Sequence, residues 1–352
     1  PEHIKLAAKA AIDNNETHYT PVDGTPALKL AIRDQLKRQH GLEFEDNQVI
    51  ATAGCKQALF NACQALLNPG DEVIIPAPYF LSYPAMVRIA GGEPVEIPTT
   101  AASRYKISAE QLDAALTDKT RLMFLCSPNN PTGTAYSRDE FRTFGDVLAN
   151  YPNVVILTDD IYDELMWTDM DTAHFAVTCP ELSERIVSTT SVSKTHAMAG
   201  WRLGYASGPA EIIGAMKRIQ SQSTSNPCSI AQAAGLAALT GSADYLQGWV
   251  DDYKKLHDIT LEMVRAIPGI EAPEADGAFF VFADISSLLS SHPEASNDTE
   301  FCEWALNTLE VAMVPGDPFG AKNHVRISFA TDEATLRKAL ERLQTALIKQ
   351  AA

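Results

Sequence analysis

Val49-Ile50-Ala51-Thr52-Ala53-Gly54-Cys55-Lys56-Gln57 is the stretch whose reading decides the fold. A short apolar, β-branched run passes through a small-residue turn into a stretch in which Leu59, Ala62, Cys63 and Leu66 fall at i, i+3, i+4 and i+7. That spacing predicts a helix, and Asn68-Pro69-Gly70 closes it with a breaker before a second apolar run, Val73 to Ile75. Strand, helix and strand in this order read as part of a parallel sheet covered by helices.

The same alternation continues outward. Val95 to Ile97, Leu122 to Cys126, Val154 to Leu157, Ile186 to Ser188 and Leu203 to Ala206 bring the runs to seven. The expected architecture is therefore α/β, a large domain over residues 1–250 with a mostly parallel seven-stranded sheet. From about Gly248 the pattern changes to a long charged helix, Trp249 to Ile267, a hairpin-like stretch around Gly277 to Asp284, and the runs Val311 to Val314 and Val325 to Phe329. Asp332 to Lys349 reads as an amphipathic closing helix with Leu336, Leu340, Leu343 and Leu347 on one face. Residues 251–352 are thus expected to form a smaller α+β domain, and a chain of 352 residues exceeds the size at which a single core stops growing.

Composition excludes several function classes. Lys and Arg number 28 against 45 Asp and Glu, a net charge of −17, so a polyphosphate backbone is repelled and nucleic acid is not an expected partner. A local positive pocket can still bind a small anion. Cys55, Cys63, Cys126, Cys179, Cys228 and Cys302 are scattered without metal-ligand spacing, the usage of reduced thiols in a cytoplasmic protein with no zinc and no disulfide. No apolar run approaches the ~20 residues needed to cross a bilayer, and Pro1-Glu2-His3 has no signal-peptide pattern, so a soluble protein without a membrane partner is expected.

Ligands of open α/β sheets bind beyond the carboxyl ends of the strands, which directs attention to five segments. Gly54, Cys55 and Lys56 open a helix whose free N–H groups can take a phosphate, although such a turn is also a generic strand-to-helix connection. Pro78-Tyr79-Phe80-Leu81-Ser82-Tyr83 offers an aromatic face to a planar ring, although core packing is the commoner fate of such side chains. Ser127-Pro128-Asn129-Asn130-Pro131-Thr132-Gly133 fixes an asparagine amide in a proline-locked loop. Asp159, Asp160 and Tyr162 put a carboxylate and a phenol at the mouth of the sheet, where an aspartate can equally cap a helix. Ser191-Val192-Ser193-Lys194, with Arg202 beyond Gly200-Trp201, places a lysine between hydroxyls and a guanidinium after an apolar strand, an unusual setting for a residue that is normally solvated.

Together and in this order the five segments resemble the class I, fold-type I aminotransferases, over essentially the whole chain. "SPNNPTG" at 127–133, "SVSKTHAMAGWRLGY" at 191–205, "QSQSTSNPCSIAQAA" at 220–234 and "VRISFA" at 325–330 are similar to the prokaryotic aspartate aminotransferase branch. The resemblance implies pyridoxal 5'-phosphate as cofactor, carried as a Schiff base on Lys194, and ping-pong transfer of an amino group between an acidic amino acid and a 2-oxo acid. Asp159 then matches the carboxylate that keeps the pyridine nitrogen protonated, making the ring an electron sink. Lys194, once free, is the group that moves the Cα proton. Tyr162 and Asn130 match the residues bonded to the cofactor's phenolic oxygen. Ser191, Arg202 and the backbone of Gly54, Cys55 and Lys56 match the phosphate cradle. Phe80 matches the aromatic stacked on the ring, with Tyr79 as second choice.

For the substrate, the resemblance makes Arg326 the clamp on the α-carboxylate and Lys56 the partner of a distal carboxylate. Lys56 is equally readable as a solvated residue at a helix start. Tyr19 matches a tyrosine that reaches the phosphate of a neighbouring subunit, which implies a homodimer. The resemblance also places an N-terminal arm ahead of Pro1 in family members. Cys55 and His196 depart from the pattern, standing where a glycine and an aromatic are frequent. Aromatic or prephenate substrates, and a β-lyase reaction on the same lysine, aspartate and arginine, remain alternatives.

Overall fold

The computed structural model describes residues 1–351. All seven apolar runs are strands: β1 (Val49–Thr52), β2 (Glu72–Pro76), β3 (Glu93–Ile97), β4 (Thr120–Cys126), β5 (Val155–Asp159), β6 (Ile186–Ser191) and β7 (Gly204–Ser207). They form one sheet in the order β1-β7-β6-β5-β4-β2-β3. Pairing is parallel from β3 to β6, and β7 runs against both β1 and β6, so the sheet is mostly parallel. Central β4 and β5 are buried on both faces, which is why they read as continuous apolar runs with no alternation. Edge strand β3 carries Glu93, Pro94 and Glu96, charges and a proline of the kind that discourage a further strand from pairing.

Helix Cys55–Leu66 buries Leu59, Ala62 and Cys63 against this sheet, and Leu66 is only partly covered. Three further strands, β8 (Phe280–Asp284), β9 (Val314–Pro315) and β10 (His324–Ser328), make an antiparallel sheet in the order β8-β10-β9. The expected hairpin at Gly277 to Asp284 is not formed. Phe280↔Ser328 through Asp284↔His324 is the actual register, and Gly277 makes an isolated bridge to Met166 instead. Turn residues mark where the chain reverses, while the pairing partner is chosen by which apolar faces meet. Val281, Ala283, Val325 and Ile327 meet Leu336, Leu340, Leu343 and Leu347 of helix Glu333–Ala351 in a second core.

Helix Tyr245–Arg265 begins four residues before the expected Trp249 and joins the two cores. Its Val250 packs with Tyr162, Leu165, Ala278 and Phe280, and its Leu256, Ile259 and Val264 lie in the second core. A polar clamp sets the same relationship at the other end of the site. Asp276 N–H and Gly277 N–H both donate to Gly133 O, at 2.8 and 3.0 Å, and Asp276 Oδ2 accepts from Ala135 N–H at 2.8 Å. Gly133 has φ +69, and a Cβ there would collide with Ala275 and Gly277, so glycine is required for this approach. The loop bearing Asn130 is thereby fixed against the segment leading into β8. No helix of the described residues is long and apolar enough to cross a membrane. Five cysteines are buried free thiols, and Cys228 is exposed.

Candidate active site

β5 ends at Asp159, whose side chain lies at the carboxyl edge of the sheet and is 5% exposed. Tyr83 Oη donates to its Oδ2 at 2.6 Å, and Cys55 Sγ lies 3.4 Å from its Oδ1. Loss of water pushes the carboxyl up from the usual range to about 6, against the opposing pull of these two donors. Tyr162, three residues further in the turn after β5, is buried and its phenol is pushed upward by burial, so it stays a hydroxyl donor. Asp160 does not join them. Its Oδ2 accepts from Thr158 Oγ1 at 2.5 Å and lies 3.1 Å from His174 Nε2, on the reverse side of the segment, because successive residues leaving a strand face opposite sides.

Lys194 follows β6 and projects over the same edge, half-buried, with Nζ 5.2 Å from the Phe279 ring centroid. Burial, followed by the nearby Arg326 and Arg202 charges, depresses its ammonium, and Asp159 opposes this only in part. A lysine held in this way is more readily the neutral amine, the form that can attack a carbonyl or accept a proton.

A corner suited to an anion is built from backbone and one arginine. Gly54 caps helix Cys55–Leu66 with φ +84, and a Cβ on it would run into the Arg202 guanidinium. Arg202, itself at φ +54, donates from Nη1 to Ala199 O at 2.9 Å and from Nη2 to Ala53 O at 3.4 Å, which lays its charge across the helix N-terminus. Ser191 Oγ accepts from Ser193 N–H at 3.1 Å, and Ser191 lines a separate space behind the sheet edge, while Ser193 lines the front.

A cavity of about 190 Å³ is lined by Cys55, Lys56, Phe80, Asn130, Asp159, Tyr162, Ser193, Lys194 and Arg202, so it unites most of the sequence candidates. Tyr79 is directed elsewhere, packed against Gly320 and lining a different space. Lys56 is exposed, with Nζ 4.9 Å from the Phe80 ring centroid. A larger, more open cavity of about 610 Å³ shares Ser193, Lys194 and Ala199 with the first and extends past Phe279, Trp249 and Tyr253 towards Glu333. Lys194 therefore stands where a small, closely lined space meets a roomy one. Tyr19 is 91% exposed and takes no part in this chain's own cavity.

Arg326, on β10, donates from Nη1 to Asn130 Oδ1 at 2.8 Å. Its guanidinium carbon lies 4.5 Å from the Phe280 ring centroid and 4.9 Å from that of Phe319, and its buried Nε has no partner. A planar cation sandwiched by aromatics with a donor to spare is prepared for a carboxylate. Phe279, Phe280 and Phe319 are the site residues that sequence reasoning missed, and Tyr83, part of the aromatic segment it singled out, carries an unforeseen bond to Asp159. The aromatic doublet after Gly277 was the available signal, but nothing local to it says that it faces Lys194 and Arg326.

These features fit pyridoxal 5'-phosphate. The buried Asp159 carboxylate suits a protonated ring nitrogen, the Gly54–Arg202 corner suits a phosphate that a side chain at 54 would obstruct, and Lys194 lies between them on the same cavity.

The family model for aminotransferase class I and II matches residues 1–343. An aspartate/prephenate aminotransferase from Cereibacter sphaeroides is 44% identical over 348 residues, covering 98% of this chain and 87% of that protein. The crystal structure of the aspartate aminotransferase from Rhizobium meliloti superposes with a TM-score of 0.95 at 43% identity, covering 99% of this chain and 88% of that one. Thermus thermophilus aspartate aminotransferase with maleate gives a TM-score of 0.90 at 38% identity, with coverage of 99% and 88%. With a family match across almost its whole length and a cavity of matching chemistry, the chain belongs to the class I and II aminotransferases.

Proposed function

We propose that this chain moves the amino group of an acidic amino acid, aspartate or glutamate, to a 2-oxo acid, using pyridoxal 5'-phosphate held by Lys194. The observation that carries the reading is that Asp159 and Lys194 face one cavity from the ends of adjacent strands, the first a buried carboxylate and the second a depressed amine. Bound there, the cofactor supplies an electron-accepting ring that takes up the electron pair left when the substrate's Cα proton departs.

The chain's own groups do the rest. Asp159 keeps a proton on the ring nitrogen, and Tyr83 and the strand end hold the carboxylate still. With the cofactor bound, Lys194 Nζ would accept the Cα proton and deliver it to the cofactor's C4′ carbon, not back to Cα. Arg326 grips the α-carboxylate, and its bond to Asn130 fixes the angle of approach. Tyr162 and Asn130 are assigned to the cofactor's phenolic oxygen, Phe80 to its ring face, and Arg202 with the N–H groups at Gly54, Cys55 and Lys56 to its phosphate, where Ser193 joins Ser191 as a candidate.

Lys56 is proposed to meet the distal carboxylate. Lys56 lines the same cavity, and the relatives named above are aspartate or aspartate/prephenate aminotransferases, one of them described with the dicarboxylate maleate. We further infer a homodimer, supported by the exposed Tyr19, with a cofactor-bearing part over residues 1–250 and a smaller part over 251–352, working in the cytoplasm. The test is transfer from aspartate to 2-oxoglutarate by the holoenzyme, with donors varied. Product without an acceptor points to a lyase, and equal losses for aspartate and phenylalanine in Lys56→Ala remove the acidic-substrate assignment.

A further inference from the structure

Two residues far apart in the chain deliver hydrogen-bond donors to Asp159, and they do so from different sides. Tyr83 approaches Oδ2 from within the core, where it stacks on Phe124 at 4.4 Å between ring centroids, and it does not line the cavity. Cys55 lines the cavity and approaches the other oxygen, Oδ1. Its Sγ is also 3.4 Å from Thr189 Oγ1. Thr189 spends its own hydroxyl proton on Thr158 O at 2.8 Å, so towards the thiol it can only accept. A single S–H thus has two acceptors at the same distance.

We propose that Cys55 is a positioning residue for Asp159, its thiol donating to the carboxylate in the empty protein and free to turn to Thr189 once a bound cofactor's ring nitrogen would engage that carboxylate. The thiol is fully buried beside a carboxylate, and burial, then Asp159, hold it well above its ordinary range, so it remains S–H and never competes as an anion. A glycine or alanine at 55 would leave the carboxylate one donor short in the empty protein, with the Tyr83 hydroxyl and the Ile161 backbone N–H remaining. A buried carboxylate with fewer donors protonates more readily, and a protonated Asp159 cannot receive a protonated ring nitrogen. The groups around Asp159 are Cys55, Tyr83, Cys126, Tyr162, Lys194 and the Ile161 N–H, while Asp160 acts on it only through its charge from the reverse side of the segment. Cys55 alone among them both opens onto the cavity and has an alternative acceptor fixed in place.

The inference rests on the pyridoxal-phosphate reading. Its test follows the side-chain carbon-13 signal of Asp159 in the apoprotein across pH, with Asp159→Asn for assignment, alongside the pH dependence of pyridoxal 5'-phosphate affinity. Cys55→Ala is expected to raise the Asp159 midpoint by about half to one pH unit, and so to weaken cofactor affinity ~3- to 10-fold on the acid side with little change in alkali. Cys55→Ser restores a donor and is expected to return both readouts towards wild type. Thr189→Val removes the competing acceptor and is expected to lower the midpoint, whereas a role in packing alone would move it in the same direction as Cys55→Ala. A midpoint indifferent to Cys55→Ala, with cofactor uptake normal, overturns the inference and leaves the reading standing. Wild-type apoprotein that takes up no pyridoxal 5'-phosphate at any pH overturns both.

Discussion

Arg326 on β10 and Asn130 in the loop after β4 are joined by a 2.8 Å hydrogen bond, which ties the guanidinium of one sheet to the cavity of the other. The sandwich of Phe280 and Phe319 leaves that guanidinium little freedom, so its geometry, as well as its charge, is available to a substrate carboxylate.

Arg326→Lys keeps the charge but loses the planar fork and the stacking. The expected result is a fall in kcat/KM for the amino donor of about 100-fold, with cofactor affinity within about twofold of wild type. Steady-state kinetics and a cofactor titration check the two halves. An unaltered kcat/KM would mean that the carboxylate binds elsewhere.

Lys194→Ala is expected to abolish the cofactor–protein linkage and to lower turnover by at least about 10³-fold, since the same amine anchors and transfers the proton. Borohydride reduction followed by peptide mass spectrometry should find the adduct on the peptide containing Lys194 in wild type and nowhere in the variant. Because the amine is depressed by burial and the two arginines, Lys194 is expected to be neutral at a lower pH than a surface lysine.

Asp159 costs the empty protein stability. Its folded-state value of about 6 lies above the ordinary 3.8, so the cost is absent below the unfolded value and is fully present once pH has risen through about 6. Apoprotein with Asp159→Asn is therefore expected to be more stable than wild type above that range, by about 2–3 kcal/mol, and to lose the advantage in acid. Denaturant unfolding at acid and neutral pH measures it. The same variant should bind pyridoxal 5'-phosphate poorly, a trade of stability against function.

Gly54→Ala places a methyl group against the Arg202 guanidinium at a backbone angle of φ +84. A stability loss of about 1–2 kcal/mol is expected, with cofactor affinity reduced by about tenfold or more as the arginine is displaced. If the affinity for pyridoxal, which lacks the phosphate, falls as far as that for pyridoxal 5'-phosphate, the corner is not a phosphate site.

Much of this was legible along the chain because it is local. The strand from Val155 to Asp159 opens with the apolar run that ends at Leu157, and the residues that follow such a run stand at the ligand-binding edge of a parallel sheet. Lys194 after β6 and Gly54 after β1 follow from the same rule. The four leucines of the closing helix are 3% exposed or less, as a helical period demands.

Periodicity and turn chemistry are set by neighbours in sequence, so the sequence by itself determined which segments of the large sheet are strands and which segments stand at its ligand-binding edge, while β5 and β6 run two and three residues beyond the expected Leu157 and Ser188. What it left to the tertiary structure are the contacts between segments: Cys55 and Tyr83 on Asp159 across 104 and 76 positions, Arg326 on Asn130 across 196, and β8 pairing with β10 instead of folding into a hairpin. Asp160, one residue from Asp159, was turned to His174 on the far side. Burial and hydrogen-bond direction depend on which faces meet once the chain has packed, and no local pattern carries that information.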